Sequence, residues 1–244
     1  MVFHFLFPCL GICTIWNAFL EGLLKYCMKW LKHNSLSIVF LVLFFIAIVG
    51  QAITGLKEYN KEMQEEGGQE VSMGQYFSTG HFIEATFENW ESEFLQMALF
   101  VLLTIFLYQK GSSESKDPDK KEEVDNEPDP KKKDAPWPVR QGGLILALYK
   151  NSLFLALILL FIVSFWAHLY GSLNEYNHEQ MLKGQPQETA MEFIGDTKFW
   201  FESFQNWQSE FLSVFSIVVL SIFLRQKGSP QSKPVDAPYS QTGE

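Results

Sequence analysis

The residues of this chain best placed to do chemistry come in two matched sets: Asn89, Trp90, Ser92 and Glu93, then, 117 positions later, Asn206, Trp207, Ser209 and Glu210. Each set heads an apolar run that is short for a membrane crossing, 94–108 in one case and 211–224 in the other. About 15 helical residues rise roughly 22 Å, against about 30 Å of hydrocarbon, so the glutamate ahead of each run is drawn toward the hydrocarbon boundary. An unpaired carboxylate there is costly, and it turns toward a partner, a wet cavity or the interior of a helix bundle. If Glu93 and Glu210 meet at one depth, the two carboxylates bind a cation or share a proton. The same residues also have a plainer role. Asn, Ser and Glu near a helix start can cap backbone N–H groups or bond across to another helix, and Glu is favoured there by the helix dipole.

Two further sets stand near the first crossing of each half. Glu58, Tyr59 and Asn60 match Glu175, Tyr176 and Asn177; they either line an outer vestibule or serve as interfacial anchors and caps. Gln51 and His168, also 117 apart, are polar groups near the outer ends of long apolar runs. An imidazole there is a hydrogen-bonded packing residue or a proton relay. No phosphate-cradling glycine loop, zinc-protease helix, nucleophile elbow or paired-cysteine zinc site occurs in the sequence. Cys9, Cys13 and Cys27 all fall in the first 27 residues and imply neither a disulfide framework nor a metal centre. The expectation is no catalytic residue, no metal, no cofactor and no enzyme.

The elements that must position these residues follow from the apolar runs. Residues 36–56 and 152–170 are each close to the roughly 20 residues that span a bilayer as a helix. With the two shorter runs they make four expected crossings. Of the 19 Lys and Arg, 15 lie before the first crossing, between the second and third, or after the fourth. The positive-inside rule therefore puts the termini and the central linker in the cytoplasm. The two outward segments hold 16 of the 28 carboxylates against four cations. The mixed charges of the linker make it a poor nucleic-acid arm, so no nucleic-acid partner is expected.

Shifting the chain by 117 residues lays 34–116 on 151–233 without a gap, with about 30 of the 83 positions identical. This reads as a duplication of one two-helix hairpin, the copies related by an axis along the membrane normal. The expected fold is an all-α membrane protein with four transmembrane helices as two tandem hairpins, packed as a four-helix bundle. Short interfacial helices are expected in the outward loops, where Ser72 with Gln75 and Thr189 with Glu192 have capping-box spacing. Thr79 and Asp196 are the expected N-caps of the helices that follow. The organisation is then 1–31, an N-terminal apolar extension; 32–110, repeat A; 111–143, a disordered charged linker; 144–227, repeat B; and 228–244, a disordered tail. The extension is a fifth span, an interfacial helix, or an over-long start with Met28 as the true one; the last is preferred for the basic flank that follows it.

The segments "EYN", "FENWESEFLQ", "QKGS.ESK", "DAPWPVR" and "FWFESFQNWQSEFL" resemble a family of small bacterial membrane proteins known only as a domain of unknown function. The resemblance covers about 29–243 and implies a bacterial membrane location, without an activity or functional residues. Three functions stay open. The preferred one is a structural or accessory envelope protein of the bacterial inner membrane, docking an envelope partner or a second copy through its acidic, aromatic outer helices. The others are a cation or small-solute channel using Glu93 and Glu210, and a lipid-modifying membrane enzyme. The bilayer is the one partner common to all three.

Overall fold

The computed structural model describes residues 7–65 and 67–243, with 7–19 traced by backbone alone. Residues 1–6 and the side chains of Cys9 and Cys13 therefore lie outside the described part. The chain divides into two compact units, Met1–Lys61 and Glu62–Glu244. The first holds α1 (Phe7–His33) and most of α2 (Ser35–Glu65). Lys32 and His33 in the last turn of α1 complement the negative end of its dipole.

The second unit contains α3 (Met73–Tyr76), α4 (Gly80–Leu103), α5 (Trp137–Gln141), α6 (Gly143–Lys150), α7 (Ser152–Leu182), α8 (Ala190–Phe193) and α9 (Thr197–Phe223). The central helix is α4, packed along α7 and more lightly against α9. The helix starts follow from the capping residues. At α3 the Gln75 side chain accepts both the backbone N–H and the hydroxyl of Ser72, at 2.8 and 2.7 Å. At α8 Glu192 accepts the same two donors from Thr189, each at 2.8 Å. Thr79 caps α4 by accepting from the Phe82 N–H, and Asp196 caps α9 by accepting from the Lys198 N–H.

These bonds hold the Glu192 carboxyl below its usual range. A group so depressed contributes its stabilisation above its unfolded value and loses it as pH falls through the folded value. On acidification the α8 turn is thus expected to lose amide protection in hydrogen exchange. Glu192→Gln, which restores the side chain found at position 75, is expected to keep the cap and flatten that pH dependence. An unchanged profile in the variant would show that the cap does not set it.

Among the described residues three helices, α2, α7 and α9, are long and apolar enough to cross a membrane. Only 17% of the apolar stretch of α7 and 6% of that of α9 is buried within the protein. Leu153, Leu159, Trp166, Phe215 and Phe223 accordingly face outward, as a hydrocarbon surrounding favours. The expected fourth crossing does not qualify by length and composition. Glu84, Glu88, Glu91 and Glu93 break up α4, and the helix stops at Leu103. Beyond it Ile105 and Phe106 donate to carbonyls only three residues back, while the Thr104 hydroxyl bonds back to Phe100 O. The four expected crossings are thus not supported, and the second unit is built on three long helices, α4, α7 and α9.

The linker and tail, expected to be disordered, carry defined contacts. Ser112 bonds the hydroxyl of Ser221 near the end of α9 at 2.9 Å, and the Gly111 N–H donates to Thr242. The Lys233 ammonium, buried, donates to the carbonyls of Gly111, Tyr239 and Gln241. Burial, with Arg225 beside it, lowers this lysine from its ordinary value. The "QKGS" motif explains part of this order. Gln109 N–H donates to Ser115 Oγ and Gln226 N–H to Ser232 Oγ, both at 2.9 Å and at positions 117 apart.

Candidate functional site

Three stripes of polar residues converge inside the second unit. On α4 they are Glu84, Glu88 and Glu91, spaced four and three apart so that they share one helix face. On α7 they are His168, Ser172 and Glu175, again at one-turn spacing, and α9 supplies Lys198, Glu202 and Trp207. The helices can bring these stripes together because α4 and α7 touch backbone to backbone. A Cβ added to Gly171 would lie 2.4 Å from the Glu84 nitrogen, and one added to Gly80 would lie 2.3 Å from the Glu175 nitrogen. Absent side chains at a crossing permit this approach.

His168 is the centre. Its imidazole and the Glu91 side chain are fully buried, with Nδ1 2.6 Å from Glu91 Oε2. The other Glu91 oxygen accepts the Trp207 indole N–H at 3.1 Å. With Glu91 ionised, both of its oxygens accept, the Nδ1 proton belongs to His168, and Nε2 is the nitrogen that gains or loses one. Nε2 stands 3.4 Å from Glu202 Oε2, without hydrogen-bond geometry. Glu202 is held in turn by the Ser172 hydroxyl at 2.7 Å and lies 3.8 Å from Lys198 Nζ. Phe199 packs against the imidazole at a centroid distance of 4.9 Å, and with Leu169 and Phe193 it forms the adjoining apolar core. In this dry surrounding an uncompensated charge is expensive and a paired one interacts strongly. Among the described residues no group of three or more His, Cys, Asp and Glu has the arrangement of a metal site.

The residues singled out by their repetition are distributed differently. Asn89 donates to Ala85 O and Ser92 to Asn89 O; Asn206 donates to Glu202 O and Ser209 to Asn206 O. All four bonds stay within their own helix. Trp90 meets Phe87 edge to face, whereas Trp207 reaches Glu91. The Glu93 and Glu210 carboxyls are close enough to act on each other's charge, outside the His168 cluster.

Glu175 accepts the His81 N–H at 2.7 Å, and Asn177 clamps the loop before α8 through the Glu188 backbone N–H and C=O. Tyr176 donates to Glu188 Oε1. Glu58, Tyr59 and Asn60 belong to the first unit, where Glu58 pairs with Lys61 at 3.5 Å and Tyr59 is buried. Gln51 lies in that unit too. Glu84, Glu88, Glu91 and Glu202 carry no mark of repetition; their signal is the shared helix face.

A family model described as Domain of unknown function (DUF6766) matches residues 27–244. The chain belongs to this family. No curated protein and no solved structure gives a significant match, so a function for this DUF6766 chain has to be argued from the buried cluster itself.

Proposed function

We propose that this is a proton-responsive membrane protein, in which uptake of one proton at His168 Nε2 draws α9 toward α7. The observation that supports this is a fully buried imidazole between two carboxylates, bonded at Nδ1 to Glu91 and facing Glu202 through Nε2 at 3.4 Å. Unprotonated, Nε2 turns its lone pair to an acceptor. Protonated, it becomes the cation of a buried pair. The difference between these states is a force between two helices, and such a bistable contact is what a pH switch requires. Proton binding fits better than proton passage, because beyond Gln96 on α4 and toward the start of α7 the stretches 97–103 and 153–163 carry only apolar side chains.

In this reading α4 is a fourth crossing whose Glu84, Glu88 and Glu91 turn to α7 and α9 and not to lipid. In the same reading the linker and tail lie in the cytoplasm of a bacterial inner membrane, a side that the cation bias supports, with the His168 site nearer the outer face. The two halves are tandem copies of one hairpin, and the site lies where they meet, with Glu91 from the first copy and His168, Glu202 and Trp207 from the second. The test is an infrared difference spectrum of the protein in lipid between alkaline and acidic pH. Wild type is expected to show imidazole and carboxylate bands that His168→Gln and Glu91→Gln both lose while remaining folded. A wild-type spectrum without a His168-dependent band would refute the proposal.

A second reading, docking of an envelope protein or a second copy, is favoured by exposed Met191, Phe201 and Phe204 at the α8 end. Crosslinking from position 191 in the membrane separates the two occupants.

A further inference from the structure

We infer that Glu84 is the carboxyl through which protons reach His168 from the α8 end of the bundle, an inference that rests on the proton-binding reading above. Glu84 lies one turn into α4, between the cluster and the loop end. Its Oε2 is buried and has no hydrogen-bond partner among the described residues, and His168 Nε2, on a fully buried ring, is in the same condition. The charged groups near enough to act on Glu84 are Glu88 on its own helix, Glu175 on α7, and Glu202 and Lys198 on α9. Glu175 marks the loop end, since it accepts from the His81 N–H in the first turn of α4. Glu202 marks the site end, 3.4 Å from His168 Nε2.

A glutamate here is not what packing alone selects. The residue 117 positions later is Phe201, and a buried carboxyl oxygen without a donor costs more than an apolar atom in its place. The vacant oxygen is instead where a proton can be held in transit. Glu84 takes a proton from water at the α8 end and passes it to the Glu202 carboxylate, which passes it to Nε2. Each step moves one proton and no electrons, and Glu84 returns to the carboxylate. Lys198, 3.8 Å from Glu202 Oε1, balances the charge of the relay without joining it.

The experiment follows the His168-dependent infrared signal in time after a jump from alkaline to acidic pH on proteoliposomes, in wild type, Glu84→Gln, Glu84→Asp and Glu84→Ala. Glu84→Gln is expected to keep the amplitude and slow the rise at least tenfold. Glu84→Asp, which retains a carboxyl, is expected to fall between it and wild type. The slow Glu84→Ala variant is expected to be accelerated by formate, a small acid that fits the space left. Full amplitude at an unchanged rate in Glu84→Gln would overturn the role of Glu84 alone. Should Glu84→Gln fail to fold, a Glu84→Ala rate equal to wild type and insensitive to formate would do the same. Absence of the signal in wild type would overturn the proton-binding reading, and the route with it.

Discussion

His168→Ala is expected to lose about 3–5 kcal/mol of stability, the range for breaking a buried ion or hydrogen-bonded pair by removing one partner. The reason is what the deletion leaves behind. Glu91 would keep one donor, the Trp207 indole at 3.1 Å, and its other oxygen would face a cavity with no water. Glu202 would retain Ser172 and the more distant Lys198 but lose the imidazole that links α7 to α9. The variant joining His168→Gln with Glu91→Gln is expected to cost less than the two single changes together, because each amide removes the charge that the other lacks a partner for. A shortfall of about 0.5–3 kcal/mol is the size seen for residues in direct contact. Unfolding of the four proteins in one detergent measures it. Additive costs would mean that the 2.6 Å contact contributes no coupling, and the cluster would lose its claim to act as a unit.

The helices of this chain were readable because their signals are local. The apolar run from Ser152, the capping residues Thr79 and Asp196, and the two capping boxes each state their role within a turn or two. The site was less readable, for a reason that lies in the duplication. Comparing halves brings forward the residues they share, and Asn89, Ser92, Asn206 and Ser209 turn out to bond within their own helices. The buried cluster occupies positions where the halves differ. His168 stands against Gln51, Glu91 against Gln208, Glu88 against Gln205, Glu84 against Phe201 and Glu202 against Ala85. Shared residues report what both hairpins need in order to pack. An ionisable cluster assembled across the two halves from their unshared residues reports what the pair does together. The spacing of Glu84, Glu88 and Glu91 did announce a common face, but which helix that face meets depends on the crossing of α4 with α7. That crossing turns on two glycines, whose lack of a side chain gives no periodic signal. The same carboxylates kept α4 below the apolar content of a crossing: charges buried against protein and charges facing lipid look alike in a hydropathy profile.

Gly171→Val is expected to cost toward the upper end of the roughly 1–3 kcal/mol that overpacking imposes, or more, and to abolish the pH response with it. The atoms a Cβ would meet there are the Glu84 nitrogen at 2.4 Å and the Ile83 carbonyl carbon at 2.9 Å. Both belong to helix backbone, which cannot rotate aside as a side chain would, so α4 as a whole has to move from α7. Moving it shifts Glu84, Glu88 and Glu91 together, and the 2.6 Å bond from His168 to Glu91 cannot survive a displacement of even an ångström. Gly50→Ala is the control. It also lies inside a long apolar helix, yet nothing stands within 4 Å of its added Cβ, and the change is expected to be neutral or stabilising by up to about 1 kcal/mol from helix propensity. Thermal unfolding and the acid-induced infrared change, recorded on both variants, separate the effect of contact from that of glycine as such. If Gly171→Val folded as stably as wild type and kept the His168 signal, the close crossing would not be what aligns the cluster, and the helices would have to be held in register by the carboxylate bonds themselves.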